Sequence, residues 1–293
     1  MSTKILVVSH DAGGANILAS YVKKHEKEYG FICYVEGPAK EIFRKNKIKY
    51  KLAESKAVSK ENPDVVLTGT SGSSMVELDF INAAKKEGIK TVSYLDHWVN
   101  HKQRFRFPEK GWEENLPDEI WAGDKYCYED AKELFPNQTV KFVKNPYFEE
   151  IKRKYKALKK GSKNTVLFIS EPVNIGNKDN FSSVTEYDVL DSCLAYLKKR
   201  KIIVRLHPSE PKTKYEKILS KYPEKNILKS HQKLEEDFAR SSLVIGMEST
   251  ALVLAHICGK KVICMPPKRS KKFLLPYKIK KLKNLKNLKN FIS

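Results

Sequence analysis

The sequence predicts an α/β protein made of two Rossmann-like domains facing each other across a cleft. Three observations carry this expectation. Apolar runs of strand length alternate with helix-length segments from the first residues onward, which is the signature of parallel βαβ construction. The pattern restarts after a charged stretch near the middle of the chain. The length of 293 residues suits two cores of roughly 150 residues each. The expected division is a first domain over 1–150, a second over 151–268 and a basic C-terminal tail over 269–293.

The first strand is KILVVSH at 4–10, followed by a helix from Ala15 to Tyr29, a strand FICYVEG at 31–37 and a helix from Ala39 to Lys45. DVVLTGTS at 64–71 and KTVSYLDH at 90–97 are unbroken apolar runs of buried-strand type, with a helix over about 75–87 between them. EIWAGD at 119–124 and VKFVKNP at 140–146 complete the first sheet. The stretch 148–164 is rich in charge and poor in apolar residues and reads as a linker with helical character. The second sheet opens at TVLFISEP and continues through a helix over about 185–199 and a strand at 201–206. A helix over about 213–221, a short strand near 226–229 and a helix at 232–240 come next. LVIGMES, its following helix and KVICMPP close the series.

Composition narrows the function. No stretch approaches the roughly 20 apolar residues of a membrane span, and the N-terminus MSTKILVVSH lacks a signal-peptide cleavage site, so a cytoplasmic protein is expected. The five cysteines are scattered without a C-x-x-C pair and indicate neither a disulfide framework nor a zinc site. No D-x-D pair is present to hold a divalent ion, so neither metal nor cofactor is expected. A formal net charge of +21 favours phosphate-rich partners. Part of it is local, because 266–293 holds ten Lys or Arg and no acid. Its interleaved Phe273, Leu274, Leu275, Ile279, Leu282, Leu285, Leu288 and Phe291 make it a candidate for peripheral contact with an anionic inner-membrane face. The Leu-Lys-Asn repeat drifts around a helix and holds no single face, so a lysine-rich terminal helix packed on the domain is the alternative. Nucleic acid is not expected as a partner, since no stacking aromatics accompany the lysines.

Polar residues cluster where the strands end. The first strand runs into Ser9-His10-Asp11-Ala12-Gly13-Gly14, where Gly13 and Gly14 permit close approach of a ligand to the backbone or simply cap a helix. His10 and Asp11 supply proton-transfer groups at that point. Thr68 to Ser74, with Thr70 and Ser71 at its centre, is a hydroxyl-rich loop that holds sugar hydroxyls or caps the next helix. Asp96-His97-Trp98, with His101, Gln103, Arg104 and Phe105, suits acceptor recognition or closes a long loop. In the second half Ser170, Glu171 and Asn174 follow TVLFI, His207-Pro208-Ser209 follow IIVRL, and Glu248-Ser249-Thr250 follow LVIGM. Three successive strand ends bearing polar groups on one edge point to an anionic ligand held by amides at a helix start.

The strand-end His207-Pro208 paired with the later Ser249-Thr250 resembles the His-Pro and Ser/Thr-Ser motifs of bacterial sialyltransferases and polysialyltransferases. It is also similar to the C-terminal half of CDP-glycerol glycerophosphotransferases. Both belong to the GT-B glycosyltransferase superfamily, whose C-terminal domain binds the nucleotide donor and whose N-terminal domain binds the acceptor. The resemblance makes His207 with Pro208, and Ser249 with Thr250, contacts to the donor phosphate. Gly13, Gly14, Ser170, Glu171 and Glu248 join the donor set. Thr70, Ser71, Asp96 and His97 form the acceptor set, and Asp11 or His10, with Asp96 next, supplies the base. The acid-acid-glycine motif of some sialyltransferases is absent, since Ala12-Gly13-Gly14 follow Asp11. The expected activity is metal-independent transfer of a sugar, a nonulosonic acid from a CMP-linked donor being the candidate, onto a surface glycan, lipid-linked glycan or protein. The alternatives are a nucleotide-sugar epimerase or hydrolase of the same fold, a CDP-glycerol-type polyol-phosphate transferase and a non-enzymatic glycan-binding module.

Overall fold

A computed structural model describes residues 2–72, 74–161, 164–172, 184–197, 199–208, 210–224, 226–265, 275–282 and 286–288. Ser73, Asn174, Ser209, Phe273, Leu274, Leu285 and Phe291, singled out above, lie outside these residues. The chain divides into two compact units, Met1–Glu150 and Ile151–Ser293.

In the first unit the order is β1 (Lys4–Ser9), α1 (Ala12–His25), β2 (Gly30–Val35), α2 (Ala39–Lys45), β3 (Lys51–Leu52), α3 (Ala57–Glu61), β4 (Val65–Thr68), α4 (Val76–Lys86) and β5 (Lys90–Leu95). Two 3-10 turns (Lys102–Phe105 and Trp112–Asn115) precede β6 (Glu119–Ala122), α5 (Lys125–Leu134) and β7 (Thr139–Phe142). The seven strands pair in the order β3-β2-β1-β4-β5-β6-β7, all parallel. The connections run outward from β1 to β3, then jump back to β4 beside β1. That reversal is the switch point at which open α/β sheets leave a crevice at the carboxyl ends of their strands. Helices cover both faces, so β1 is buried along nearly its whole length and its residues are apolar without alternation. Val7, Leu18, Val22, Val35, Phe43 and Tyr94 pack on one face of the sheet, and Leu6, Val8, Tyr34, Val66 and Phe80 on the other.

The helix α6 (Pro146–Ala157) carries the boundary between the units, so the charged stretch expected to be a linker is helical over most of its length. Then come β8 (Thr165–Ile169), α7 (Glu186–Tyr196), β9 (Lys201–Arg205), α8 (Glu216–Leu219), β10 (Ile227–Lys229), α9 (Leu234–Arg240), β11 (Leu243–Gly246), α10 (Thr250–Ile257), β12 (Lys261–Cys264) and β13 (Lys280–Lys281). Its six strands pair in the order β10-β9-β8-β11-β12-β13, again parallel, with the reversal between β8 and β11. Val166, Phe168, Leu190, Leu194, Val204, Ile245 and Ile263 form its separate core. Thr185 and Asp188 cap α7 reciprocally.

The basic C-terminal stretch is in part an element of this second sheet. Lys280–Lys281 adds an edge strand to β12, and Leu275, Ile279, Leu282 and Leu288 are buried. All five cysteines are free and buried. Among the described residues no helix is long and apolar enough to cross a membrane.

Candidate functional site

At the switch point of the first sheet, the ends of β1, β4 and β5 are tied to one another by side chains. The His10 amide donates to Glu77 Oε1 at 2.8 Å, and the His10 ring shares a 2.7 Å hydrogen bond between Nδ1 and Asp11 Oδ1. Asp11 Oδ2 accepts from the Gly72 amide at 3.1 Å, so the β1 turn is fastened to the loop after β4. Asp11 precedes α1 in extended geometry but does not cap the helix with its carboxylate, because that carboxylate is engaged elsewhere. Burial pushes the Asp11 carboxyl up, but the hydrogen bonds from His10, Gly72 and Ser71 outweigh burial and hold it below the ordinary value. At pH 7 it is therefore an anion that accepts hydrogen bonds from the groups around it.

The end of β5 joins the same cluster. Thr70 Oγ1 donates to Asp96 Oδ1 at 2.9 Å, and Arg104 reaches the same oxygen at 3.3 Å. A Cβ built on Gly13 would overlap the Asp96 carboxylate, so the absence of a side chain at position 13 is what lets the end of β5 approach the start of α1. Gly14 and Gly69 face each other in the same way: a Cβ on Gly14 would lie 3.1 Å from Gly69 Cα. Gly37, at φ +52°, leaves room for the His10 ring. His10, Asp11, Gly13, Thr70, Ser71 and Asp96 are thus one constellation.

One expectation changes here. The first helix begins at Ala12, three residues before the expected start, so Gly13 and Gly14 lie in its first turn rather than in a loop. The His97 Nδ1 and His101 Nδ1 atoms are buried and have no hydrogen-bond partner among the described residues, and His101 Nε2 contacts the His97 carbonyl at 2.8 Å. Burial depresses both imidazoles below the usual histidine value, which keeps them neutral at pH 7. Trp98 Nε1 donates to Asp124 Oδ2 at 2.6 Å, which anchors this loop to the N-cap of α5.

Two further residues complete the cluster, one of them legible only in three dimensions. Arg104 arrives from a 3-10 turn to neutralise Asp96. Glu77, in the first turn of α4, is 2% exposed, and its Oε2 has no partner among the described residues. Burial raises its carboxyl to about 7, and the nearby Asp11 adds to the rise. In the sequence Glu77 reads as an ordinary acidic residue at a helix start.

In the second unit the strand ends on either side of the switch point are joined directly. Glu171 Oε2, after β8, accepts from the Glu248 amide, after β11, at 2.7 Å. Ser249 caps α10, its Oγ accepting from the Ala251 amide at 3.3 Å, and Thr250 opens that helix. His207 follows β9 on the other flank of β8. His207 and Ser249 therefore stand on the same edge, on strands two spacings or about 10 Å apart. Pro208 is exposed beside His207. Burial depresses the His207 imidazole, Glu210 opposing and Lys214 reinforcing the shift, so at pH 7 the ring is neutral and a hydrogen-bonding group rather than a cation.

Ser170 is placed differently from its neighbours. It is 1% exposed, and its hydroxyl bonds Glu210 Oε1 at 2.9 Å and the Tyr215 hydroxyl at 2.5 Å. Glu210 Oε2 accepts from the His207 amide at 2.8 Å, while Lys214 pairs with Glu210 and, at 2.6 Å, with Glu186. This buried network sets the turn that presents His207. Among the described residues no group of His, Cys, Asp and Glu could hold a metal ion.

Two parallel, doubly wound domains, each gathering polar groups at its switch point, define the GT-B class of glycosyltransferase-like folds. The chain belongs to the alpha-2,8-polysialyltransferase (POLYST) family, which matches residues 15–265. It is a glycosyltransferase that works with a nucleotide-sugar donor. No curated protein matches the sequence. Solved structures share the fold at low identity. HepE from Anabaena in complex with UDP-glucose gives a TM-score of 0.64 at 12% identity, covering 99% of this chain and 88% of its own. The UDP-GlcNAc 2-epimerase of Methanocaldococcus jannaschii gives 0.63 at 13%, covering 90% and 84%. MurG from Acinetobacter baumannii gives 0.61 at 9%, covering 99% and 89%.

Proposed function

We propose that the enzyme transfers a nonulosonic acid from a CMP-linked donor to a hydroxyl of a surface glycan, lipid-linked glycan or protein. The observation that carries this reading is the second unit's edge, where Glu171 ties β8 to β11 beside the capped start of α10 and His207 flanks them. The amide groups opening α10 and the neutral imidazole of His207 hold the donor phosphate and stabilise its charge as the glycosidic bond breaks. Ser249, Thr250 and Pro208 shape that contact, with Glu171 and Glu248 framing it.

In the first unit Asp11 acts on His10 rather than on substrate. Its carboxylate, held low, fixes the ring through Nδ1, which leaves Nε2 as the atom to take the acceptor proton. Thr70, Ser71, Asp96 and His97 order the acceptor, with Gly13 and Gly14 keeping the loops close. No step in this scheme draws on a metal ion. The similar solved structures bound to UDP, UDP-GlcNAc or UDP-glucose support a nucleotide-sugar donor.

Peripheral membrane contact fits the C-terminal stretch through charge alone. The buried Leu275, Ile279, Leu282 and Leu288 are committed to the domain, leaving Lys280 and Lys281 exposed on the edge strand. The enzyme would then work on the cytoplasmic face of the membrane.

The test is kinetic. His207→Ala is expected to lower kcat by 100-fold or more with an unchanged circular dichroism spectrum, and CMP is expected to raise the wild-type melting temperature more than UDP or GDP. Wild-type transfer by the variant would overturn the phosphate assignment. Rapid consumption of donor without acceptor would instead favour an epimerase or hydrolase, the activity named for several relatives of this fold.

A further inference from the structure

The second unit has a cavity of about 490 Å³ lined by none of the groups assigned above to the transfer reaction. It is lined at the entry of the sheet by Thr165 and Lys201, the first residues of β8 and β9, and by Lys199, Arg200, Arg240 and Asn226. Thr165 and Lys201 each stand six residues before the carboxyl-end groups Glu171 and His207, so in extended chain the cavity lies up to about 20 Å from them, on the opposite edge. Its volume is in the range of small-molecule sites.

The lining is electrostatically lopsided. Among the described lining residues four cations, of which Lys199 is exposed, stand with one acid, the exposed Glu224. Lys199, Lys201 and Arg240 make no ion pair among the described residues, although Arg205 and Lys214 in the same unit are each paired with carboxylates. The wall is also a built one. The Gly161 amide donates to the Ala239 carbonyl at 2.8 Å, and a Cβ on Gly161 would lie 2.9 Å from Arg240 Cα, so the chain leaving α6 is pressed against the end of α9 that supplies Arg240. On the other side the Lys201 amide donates to the Asn164 carbonyl at 3.1 Å, and the Asn164 side chain donates to the Lys199 carbonyl at 2.8 Å. These contacts fix the backbone that bears the lysines. Lys199, Lys201 and Arg240, like charges gathered on this wall, repel one another and are relieved by an anion with several oxygens, which the Arg240 guanidinium and the two ammonium groups hold by charge-assisted hydrogen bonds.

We propose that this cavity binds a phosphate group carried on a small polar body, taken either from a soluble phosphomonoester or from the headgroup of an anionic glycerolipid. The site is independent of the donor reading above. Glycerol 3-phosphate serves as the soluble probe in isothermal titration calorimetry, and vesicles of phosphatidylglycerol in phosphatidylcholine serve as the lipid probe in flotation, both with the full chain. Lys199→Ala/Arg240→Ala is expected to weaken the responding probe at least tenfold while His207→Ala leaves it unchanged. Lys24→Ala/Lys45→Ala, on exposed lysines of the first unit, is expected to leave it unchanged too. Calorimetric binding identifies a soluble source, and flotation without calorimetric binding identifies a headgroup. Binding of neither probe, equal losses in both lysine-containing variants, or loss in His207→Ala but not in the cavity variant would each overturn the proposal. CMP-induced stabilisation that persists in the cavity variant keeps this outcome separate from the fate of the transferase reading.

Discussion

At the scale of single residues, Glu77 is a carboxyl whose chemistry departs from what its sequence position suggests. A carboxyl that is 2% exposed, with one oxygen on the His10 amide and the other without a partner among the described residues, has its pKa raised to about 7 chiefly by burial. Between the ordinary carboxylate value and about 7, the unfolded chain has released this proton and the folded chain still keeps it. The folded state binds more protons across that window, so Glu77 makes stability fall as pH rises, by about 3 kcal/mol in total. Glutamine keeps an oxygen for the His10 amide and cannot ionise. Glu77→Gln is therefore expected to match the wild type near pH 4.5 and exceed it by about 1–3 kcal/mol at pH 8, read from urea unfolding at the two pH values. Parallel stability curves for the two proteins would show that Glu77 does not titrate in this window. Nothing in the local sequence announces this, because the shift comes from α4 docking beneath the β1 turn. By contrast His10, Asp11, Asp96 and Thr70 were legible as strand-end polar groups, since a strand's length and apolar run say where it ends.

At the scale of elements, the start of α1 shows why some boundaries are readable and others are not. Ala12-Gly13-Gly14 has poor intrinsic helix propensity and reads as a loop, yet the helix begins there because Gly13 fits under Asp96 and Gly14 fits against Gly69. Two effects of opposite sign compete at position 14. Alanine would add up to about 1 kcal/mol of helix propensity, but its Cβ would press on backbone of the β4 loop, an overpacking cost of about 1–3 kcal/mol. Backbone cannot swing aside as a flexible side chain can, so Gly14→Ala is expected to be net destabilising by about 1–2 kcal/mol in urea unfolding. The same physical reason explains the other elements that the sequence left unread. β3 (Lys51–Leu52) and β13 (Lys280–Lys281) are two-residue edge strands whose signal is the neighbour they pair with, whereas α6, whose helical character the sequence does suggest, carries too little apolar surface to be told from a solvated linker. The long central strands, buried on both faces, were legible from their unbroken apolar runs.

At the scale of the whole molecule, the two units have cores that share no residue, so each carries its own stabilising burial. A ligand that binds one native unit raises the stability of that unit by RT ln(1 + [L]/Kd), about 2.7 kcal/mol at 100 times Kd. If the nucleotide is held by His207 and the start of α10, saturating CMP is expected to protect peptides of Ile151–Ser293 from hydrogen exchange during thermal unfolding more than peptides of Met1–Glu150. The network under His207 supplies the converse perturbation. Lys214 is buried between Glu186 and Glu210, and replacing it with methionine leaves two buried carboxylates without their cation, a loss of about 3–5 kcal/mol. Lys214→Met is accordingly expected to lower the unfolding temperature of the second unit selectively, and to weaken CMP protection there because Glu210 no longer holds the His207 amide in place. Equal protection of both units by CMP, or a Lys214→Met effect spread evenly over the chain, would mean that nucleotide binding and stability are properties of the assembled pair and not of the second sheet alone.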